Sequence, residues 1–435
     1  MLRSLVGLAV TVAISLNCGY TQHARASESL PERPLSLSDC VNIAVRNNPQ
    51  LVSSAQGIVT ARAGLTKARS SYYPQLALSA TEGLAREATG TDGAQTHSEV
   101  DLTSALTLWR RGREESVAES RASLQASEES HASTVQSLVS QVAGDYYAGL
   151  AARQLVGVAE AGVESAQAHL DQVKARIALG ATAEVDAFTA ESDLAQAQLD
   201  LIDARSGLKT TFAQLKNTLG VGPETTFELA EEAAPEAMPT PSLADALSLA
   251  LERRPEILAG RASVLASRYA LSQAQIRRGP LPEVAAEFGQ GFTGWDARDA
   301  TWAVALSLSW PLFDGYSSKA DVEAAQADAA RAEADRRQSV NQVGLEVETA
   351  VVEAQRTRER VEGTAKLVRA AEARLAAAEG KYQQGMAILI EVTDARAAVT
   401  NARAGQVRAR YDYQTALVSL QRAMGTLAAP EGGTQ

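Results

Sequence analysis

Rings are scarce in this chain: Phe, Trp and Tyr make up 5% of its 435 residues, while 45% are hydrophobic. With many Ala, Glu, Gln and Arg beside them, this is a helical, coiled-coil-like composition. Cysteine is nearly absent, with Cys18 and Cys40 the two. Cys18 lies in a leader-like segment, so Cys40 alone would remain after processing and no internal disulfide is expected. Beyond that segment the histidines are His97, His131 and His169. They are too scattered for a metal site, and each reads as a surface residue. There is no G-x-S-x-G and no phosphate-cradling loop. No catalytic constellation, cofactor or metal is expected, and the chain does not read as an enzyme. The net charge is −11 with no extended basic cluster, which argues against nucleic acid as a partner. After the leader no stretch is long and apolar enough for a transmembrane helix, so any membrane span must be β.

The first 26 residues read as a cleaved secretory signal. Arg3 is the charged region, Leu5 to Leu16 the apolar region, and Ala24-Arg25-Ala26 the cleavage site. That apolar region is short for a membrane span. Ser15-Leu16-Asn17 before Cys18 is a poor lipoprotein signal, because the residue preceding the cysteine should be small.

What the chain has in abundance is a seven-residue period, present twice. Val135, Val142, Gly149, Val156, Val163, Leu170 and Ile177 return 205 residues later as Val340, Val347, Ala354, Val361, Val368, Leu375 and Tyr382. Three residues on from each lies a second row, from Leu138 to Val173 and from Val343 to Ala378. This is a coiled-coil seam built of small residues. Each seam ends at a glycine, Gly180 or Gly385, and a second heptad helix follows. Each copy is therefore a long antiparallel helical hairpin, with roughly 65 Å of helix before the turn at ~1.5 Å per residue.

Ahead of each hairpin the same prelude occurs. Short helices from Leu37 and Leu243 break at Asn47-Asn48-Pro49 and Arg253-Arg254-Pro255, since proline disfavours helix in the residue before it. Second helices run to about Tyr72 and Arg277. The period then changes to two. Leu76, Leu78, Ala80 and Val100, Leu102, Leu106 alternate with polar residues, as do Val284, Ala286, Phe288 and Trp302, Val304, Leu306, Leu308, Trp310. Runs of about ten residues suit membrane β-strands, and Trp302 and Trp310 suit the two aromatic girdles of a barrel. A soluble sheet packed on one face fits the strands alone equally well.

The domain reading is a signal at 1–26, a first repeat at 27–220 with a β-hairpin at about 75–109, and a connector at 221–241 with a short strand at Thr226 to Leu229. A second repeat follows at 242–427, with a β-hairpin at about 282–310, and then a disordered tail at 428–435. The fold class is mainly α with a β-barrel contribution. Four strands cannot close a barrel and open edges cannot face lipid, so strands in a membrane would require oligomerisation.

The tandem halves, the two breaks before proline, and Pro311-Leu312-Phe313-Asp314-Gly315 after a strand resemble the outer membrane efflux protein (TolC) family, over about Leu35 to Leu427. The first half departs from the pattern at Arg110, which stands where Asp314 stands in the second. The resemblance implies a homotrimer in the outer membrane of a Gram-negative bacterium. Twelve strands would form one barrel in outer-membrane lipid and twelve helices a periplasmic tube, together a trimeric α/β-barrel channel-tunnel. Its implied partners are a periplasmic adaptor (membrane fusion) protein and an inner-membrane transporter. The role is the passive channel of a tripartite efflux or export system; type I protein secretion, or a periplasmic coiled-coil scaffold, are the alternatives.

By the same resemblance the helix turns form the periplasmic mouth. Glu391 and Asp394, three apart on one helix face, match acidic residues of the constriction; an ordinary solvated face is the alternative. Tyr382 matches a position that holds the mouth closed, and it also completes the heptad seam. Asp186 stands at the corresponding place in the first hairpin. The family often has an arginine where this chain has Ala387. Leu179, Gly180, Ala181, Gly385, Met386 and Ala387 are candidate adaptor-docking tips, or plain tight turns.

Overall fold

The computed structural model describes residues 33–85, 95–180, 183–231, 241–293, 296–384 and 386–427. The signal at 1–26, the tail at 428–435, residues 232–240 of the connector, Ala181 and Gly385 lie outside the described residues.

Helix α1 (Leu37–Asn47) opens on a capping box: the Asp39 amide donates to Ser36 Oγ and the Ser36 amide to the Asp39 carboxylate. Asn48 ends it, and α2 (Pro49–Ser70) starts at once with proline in its first turn. Strands β1 (Gln75–Ala85) and β2 (Gln95–Arg110) follow, then α3 (Arg113–Ala178) and α4 (Glu184–Leu219). The second half repeats the order: α5 (Leu243–Arg253), α6 (Pro255–Arg278), β3 (Leu281–Thr293), a two-residue β4 (Asp296–Ala297), β5 (Thr301–Ser309), α7 (Ser317–Gln383) and α8 (Leu389–Ala423). Helix α3 has 66 residues and α7 has 67. At ~1.5 Å per residue each is about 100 Å long, well beyond the 65 Å that the heptads alone mark. No helix among the described residues is long and apolar enough to cross a membrane.

The helices form a wall one layer thick. Towards the strands the order is α2–α3–α6–α7, and towards the turns it is α4–α3–α8–α7. The sheet has the matching order β1-β2-β3-β5, antiparallel throughout. Register puts Leu78 across from Leu102, Val100 across from Phe292, Phe288 across from Trp302 and Val284 across from Leu306. Directly opposed residues share a face, so one face is mainly apolar, interrupted by Glu82, Ser104 and Gln290. Thr103, Asp101, Glu287 and Ser307 lie on the other. A bulge at Leu108 shifts the register, so that Trp109 pairs with Val284 and Arg110 with Glu283. The departure at Arg110 thus falls on the polar face.

The connector contains no strand at Thr226 to Leu229, but a single parallel bridge between Leu35 and Leu229. The Leu35 amide donates to the Glu228 carbonyl and the Ala230 amide to the Leu35 carbonyl, each at 2.8 Å. The Tyr146 hydroxyl donates to the Ala230 carbonyl at 2.7 Å, and Arg153 Nη1 to the Leu229 carbonyl at 2.8 Å. The carbonyls of Leu229 and Ala230 are thus satisfied by α3 side chains instead of a second strand. The main core cluster lies here, around Tyr146, Leu215 and Leu219, and a second surrounds Val343, Val347 and Leu420.

Each hairpin ends in a left-handed glycine tucked under a break. Gly220 has φ 69°, and a Cβ there would sit 2.8 Å from the Asn47 carbonyl oxygen; Gly425 has φ 68°, with the Arg253 carbonyl carbon at 3.1 Å. The breaks themselves differ. Asn48 Nδ2 donates to the Thr218 carbonyl at 3.0 Å. Arg254, only 2% exposed, bonds Glu256 at 3.1 Å and Glu346 at 2.5 Å. Burial pushes both carboxyls up, but the hydrogen bonds and charge of Arg254 outweigh it and hold both below the usual value.

Arg254→Ala should lower stability by about 3 kcal/mol, because it strands two carboxylates in a packed contact. A shift of the urea midpoint measures it. Both carboxyls are depressed in the folded state, so the deficit is complete above about pH 4.5 and shrinks as pH falls through the folded values.

Candidate functional site

The turn end of the wall brings together most of the residues that the sequence singles out. Leu179 is 83% exposed and Met386 67%, with Ile388 and Ile390 exposed beside them. Gly180 makes the first turn in the left-handed region, and Ala387 is half-buried. Glu391 and Asp394 are both exposed on the first turns of α8. Asp186 is half-buried in the first turn of α4. Tyr382 is buried in a cluster with Leu170, Val173, Ala190, Leu389 and Val392, so it does complete the seam. At the other end of the molecule Trp302 and Trp310 are both exposed, at the two ends of β5, with Trp302 at 79%.

Between these surface groups lies a set of contacts that fastens one hairpin to the other. Arg176 of α3 stacks over the Tyr382 ring at 4.5 Å and donates from Nη1 to the Tyr382 carbonyl at 3.1 Å. Arg396 of α8 donates to the Ser165 carbonyl at 2.5 Å and to Glu379 at 2.6 Å. Thr393 Oγ1 donates to Asp193 at 3.0 Å, joining α8 to α4. That last bond crosses a groove of about 930 Å³ whose floor is α3, with Ala159, Gly162 and Ala166, and whose walls are α4 and α8.

His169 corrects its sequence reading. It is not a surface residue but is 2% exposed, and neither ring nitrogen has a hydrogen-bond partner. Its ring centroid is 6.3 Å from that of Tyr382, whose hydroxyl is also buried without a partner. Burial pushes the imidazole below its ordinary value and the Arg396 charge adds to that; Asp193 and Glu379 pull the other way and do not win. Helix α3 has neighbours on both sides, and the row one residue before its seam, Leu155, Gly162, His169 and Arg176, turns towards the second hairpin, with Tyr382 of α7 beside His169 and Arg176. A Cβ on Gly162 would touch Thr400 at 3.9 Å. That second seven-residue row is the signal by which His169 and Arg176 were legible.

Removing one charge-assisted bond between the hairpins should cost about 1.5–3 kcal/mol locally. Arg396→Ala is therefore expected to speed amide exchange over Leu389 to Val399 by about tenfold or more, while amides of the Tyr146 core stay protected. Unchanged exchange at the tip would remove Arg396 from the fastening set.

Three comparisons bear on what this arrangement is for. TolC of Vibrio cholerae is 24% identical over 415 residues, which is 90% of this chain and 91% of that protein. Protein CyaE of Bordetella pertussis is 26% identical over 305 residues, 68% of this chain; the alignment spans 64% of CyaE's own length. The solved outer membrane protein VceC from Vibrio cholerae superposes with a TM-score of 0.78 at 20% identity, over 89% of this chain and 96% of that one, which establishes the shared fold. The family described as outer membrane efflux protein matches residues 40–221 and again 246–426, well over half of the sequence. On that double match, the chain belongs to the outer membrane efflux protein family.

Proposed function

We propose that this protein is the outer-membrane channel of a tripartite efflux or export system in a Gram-negative bacterium, conducting substrate passively. Three copies close one twelve-stranded barrel in the membrane and one twelve-helix tube below it. Residues 27–220 and 242–427 then act as successive repeats around the ring, linked by the connector. An inner-membrane transporter supplies the energy and a periplasmic adaptor joins it to the tips.

One observation carries this reading. The sheet has a bare apolar face and two unpaired edges, β1 and β5. Water would penalise the face and lipid would penalise the edges, and only closure with further copies inside a membrane satisfies both. A periplasmic scaffold would leave Leu76, Leu78, Val304, Leu306 and Leu308 in water. Trp302 and Trp310 sit at the two interfaces in this arrangement. Glu391 and Asp394 form stacked carboxylate rings at the mouth, with Tyr382 and Asp186 behind them. The apolar tips around Leu179, Gly180, Ala181 and Gly385, Met386, Ala387 receive the adaptor.

Conductance in a planar bilayer tests it. Discrete cation-selective channels are expected, with selectivity reduced in the Glu391→Ala, Asp394→Ala double variant. Leu306→Arg on the lipid face should cost about 2–4 kcal/mol at mid-membrane and cut the yield of inserted trimer. A protein that stays soluble and monomeric without detergent would overturn the reading.

A further inference from the structure

We propose that His169 is the proton-sensitive element of the helix tips: its protonation drives the two hairpins apart where they meet and so opens the mouth. This rests on the channel reading above, because it names how that channel is regulated.

His169 lies ten residues before Leu179, about 15 Å along α3 from the tip at ~1.5 Å per residue. It stands at the face where α3 meets the second hairpin. A neutral imidazole buried with neither nitrogen partnered is already costly. A protonated one adds a second N–H and a full charge, and in this packing neither ring nitrogen lies within hydrogen-bond distance of an acceptor, although the ring lines the groove beside Asp193. The charged and polar groups around it are committed wholly or in part to other partners. From α8 comes Arg396, a like charge bound to Glu379 and Ser165. From α7 come Glu379 itself, held by Arg396, and Tyr382, whose ring lies under Arg176. From α4 comes Asp193, one oxygen of which accepts from Thr393. On α3 itself Arg176 adds a second cation near the same ring.

The direction follows from these neighbours. The buried imidazole is held below its ordinary value, first by burial and then by Arg396, against Asp193 and Glu379. Once the hairpins part, the ring meets water and recovers a value of about 6.5. The closed packing is therefore undisturbed above that pH. As pH falls below it, the open form takes up protons that the closed form refuses, and the balance moves towards opening until His169 titrates in place. Release of the ring also frees the Arg176–Tyr382 and Arg396–Ser165 contacts, because all three hold the same pair of hairpins.

The test uses the purified full-length protein in planar bilayers, with the pH on the tip side stepped from about 7.5 to about 5. Wild type should open about tenfold more often at the lower pH. His169→Gln should stay at the closed level throughout, and His169→Arg should be open at both values. A rise of the same size in His169→Gln would overturn the proposal and return the effect to the carboxylates at the mouth. Absence of channels at any pH would instead sink the channel reading. Amide exchange on the wild-type protein in detergent then decides the role of His169 separately. After correction for intrinsic rates, residues 165–178 should lose protection about tenfold between the two pH values. Equal protection at both would overturn the proposal whether or not the variants fold.

Discussion

Away from the belt where α1, α5 and the connector pack against it, the wall is one helix thick and has no interior, and that constraint governs this molecule. Each helix has to bury two opposite sides against neighbours while its other two sides stay open. A single apolar stripe of the usual kind is not enough. Helix α3 meets α2 and α4 on one side and α6 and α8 on the other, and the small residues along it let both sets approach. The end positions, α4 and α7, have a neighbour on one side only. Val185, Phe188, Leu199 and Ile202 of α4 and Leu345, Val352 and Leu367 of α7 stand exposed as a result. The same asymmetry repeats in the sheet, because each strand continues the helix beside it.

Much of this was open to reading in the sequence. The heptads located both hairpins, since a seam between two helices has one period and one phase. The alternation in β5 located its apolar face, since a sheet with one bare face has a period of two. Other features depend on contacts far apart in the chain. His169 reads as a surface residue because it lies one residue off the seam that the heptads mark. The bulge at Leu108 has no periodic signature. The bridge from Leu35 to Leu229 joins segments nearly two hundred residues apart, and the alternation at Thr226 to Leu229 could not tell a bridge from a strand. In α8 the seven-residue row Val392, Val399, Gln406 puts Gln406 at a seam position, yet it is exposed, because the seam there is carried by a second row, Ala402, Ala409 and Ala416.

The two halves have kept their backbone and changed their polar fastenings. Both breaks before proline rest on a glycine at the end of a hairpin, and neither glycine has room for a Cβ. Around that shared geometry the first half uses a side-chain amide, Asn48 against the Thr218 carbonyl, with Thr218 Oγ1 donating to Asp145 at 2.5 Å. Burial raises the Asp145 carboxyl in spite of that bond. The second half uses a buried guanidinium between two carboxylates. Breaking one partner of a charge triad of this kind is costly, whereas replacing the whole triad by packed apolar side chains is often neutral.

The length of α3 and α7 has a mechanical consequence. Each runs unbroken from the end of a strand to the turn, so a small change in its direction is magnified along its length. A tilt of about 5° at the Gly112 end of a rod about 100 Å long carries the far end sideways by about 9 Å. Strain too slight to disturb a single strand pairing is thereby converted into a displacement as wide as a helix at the tip.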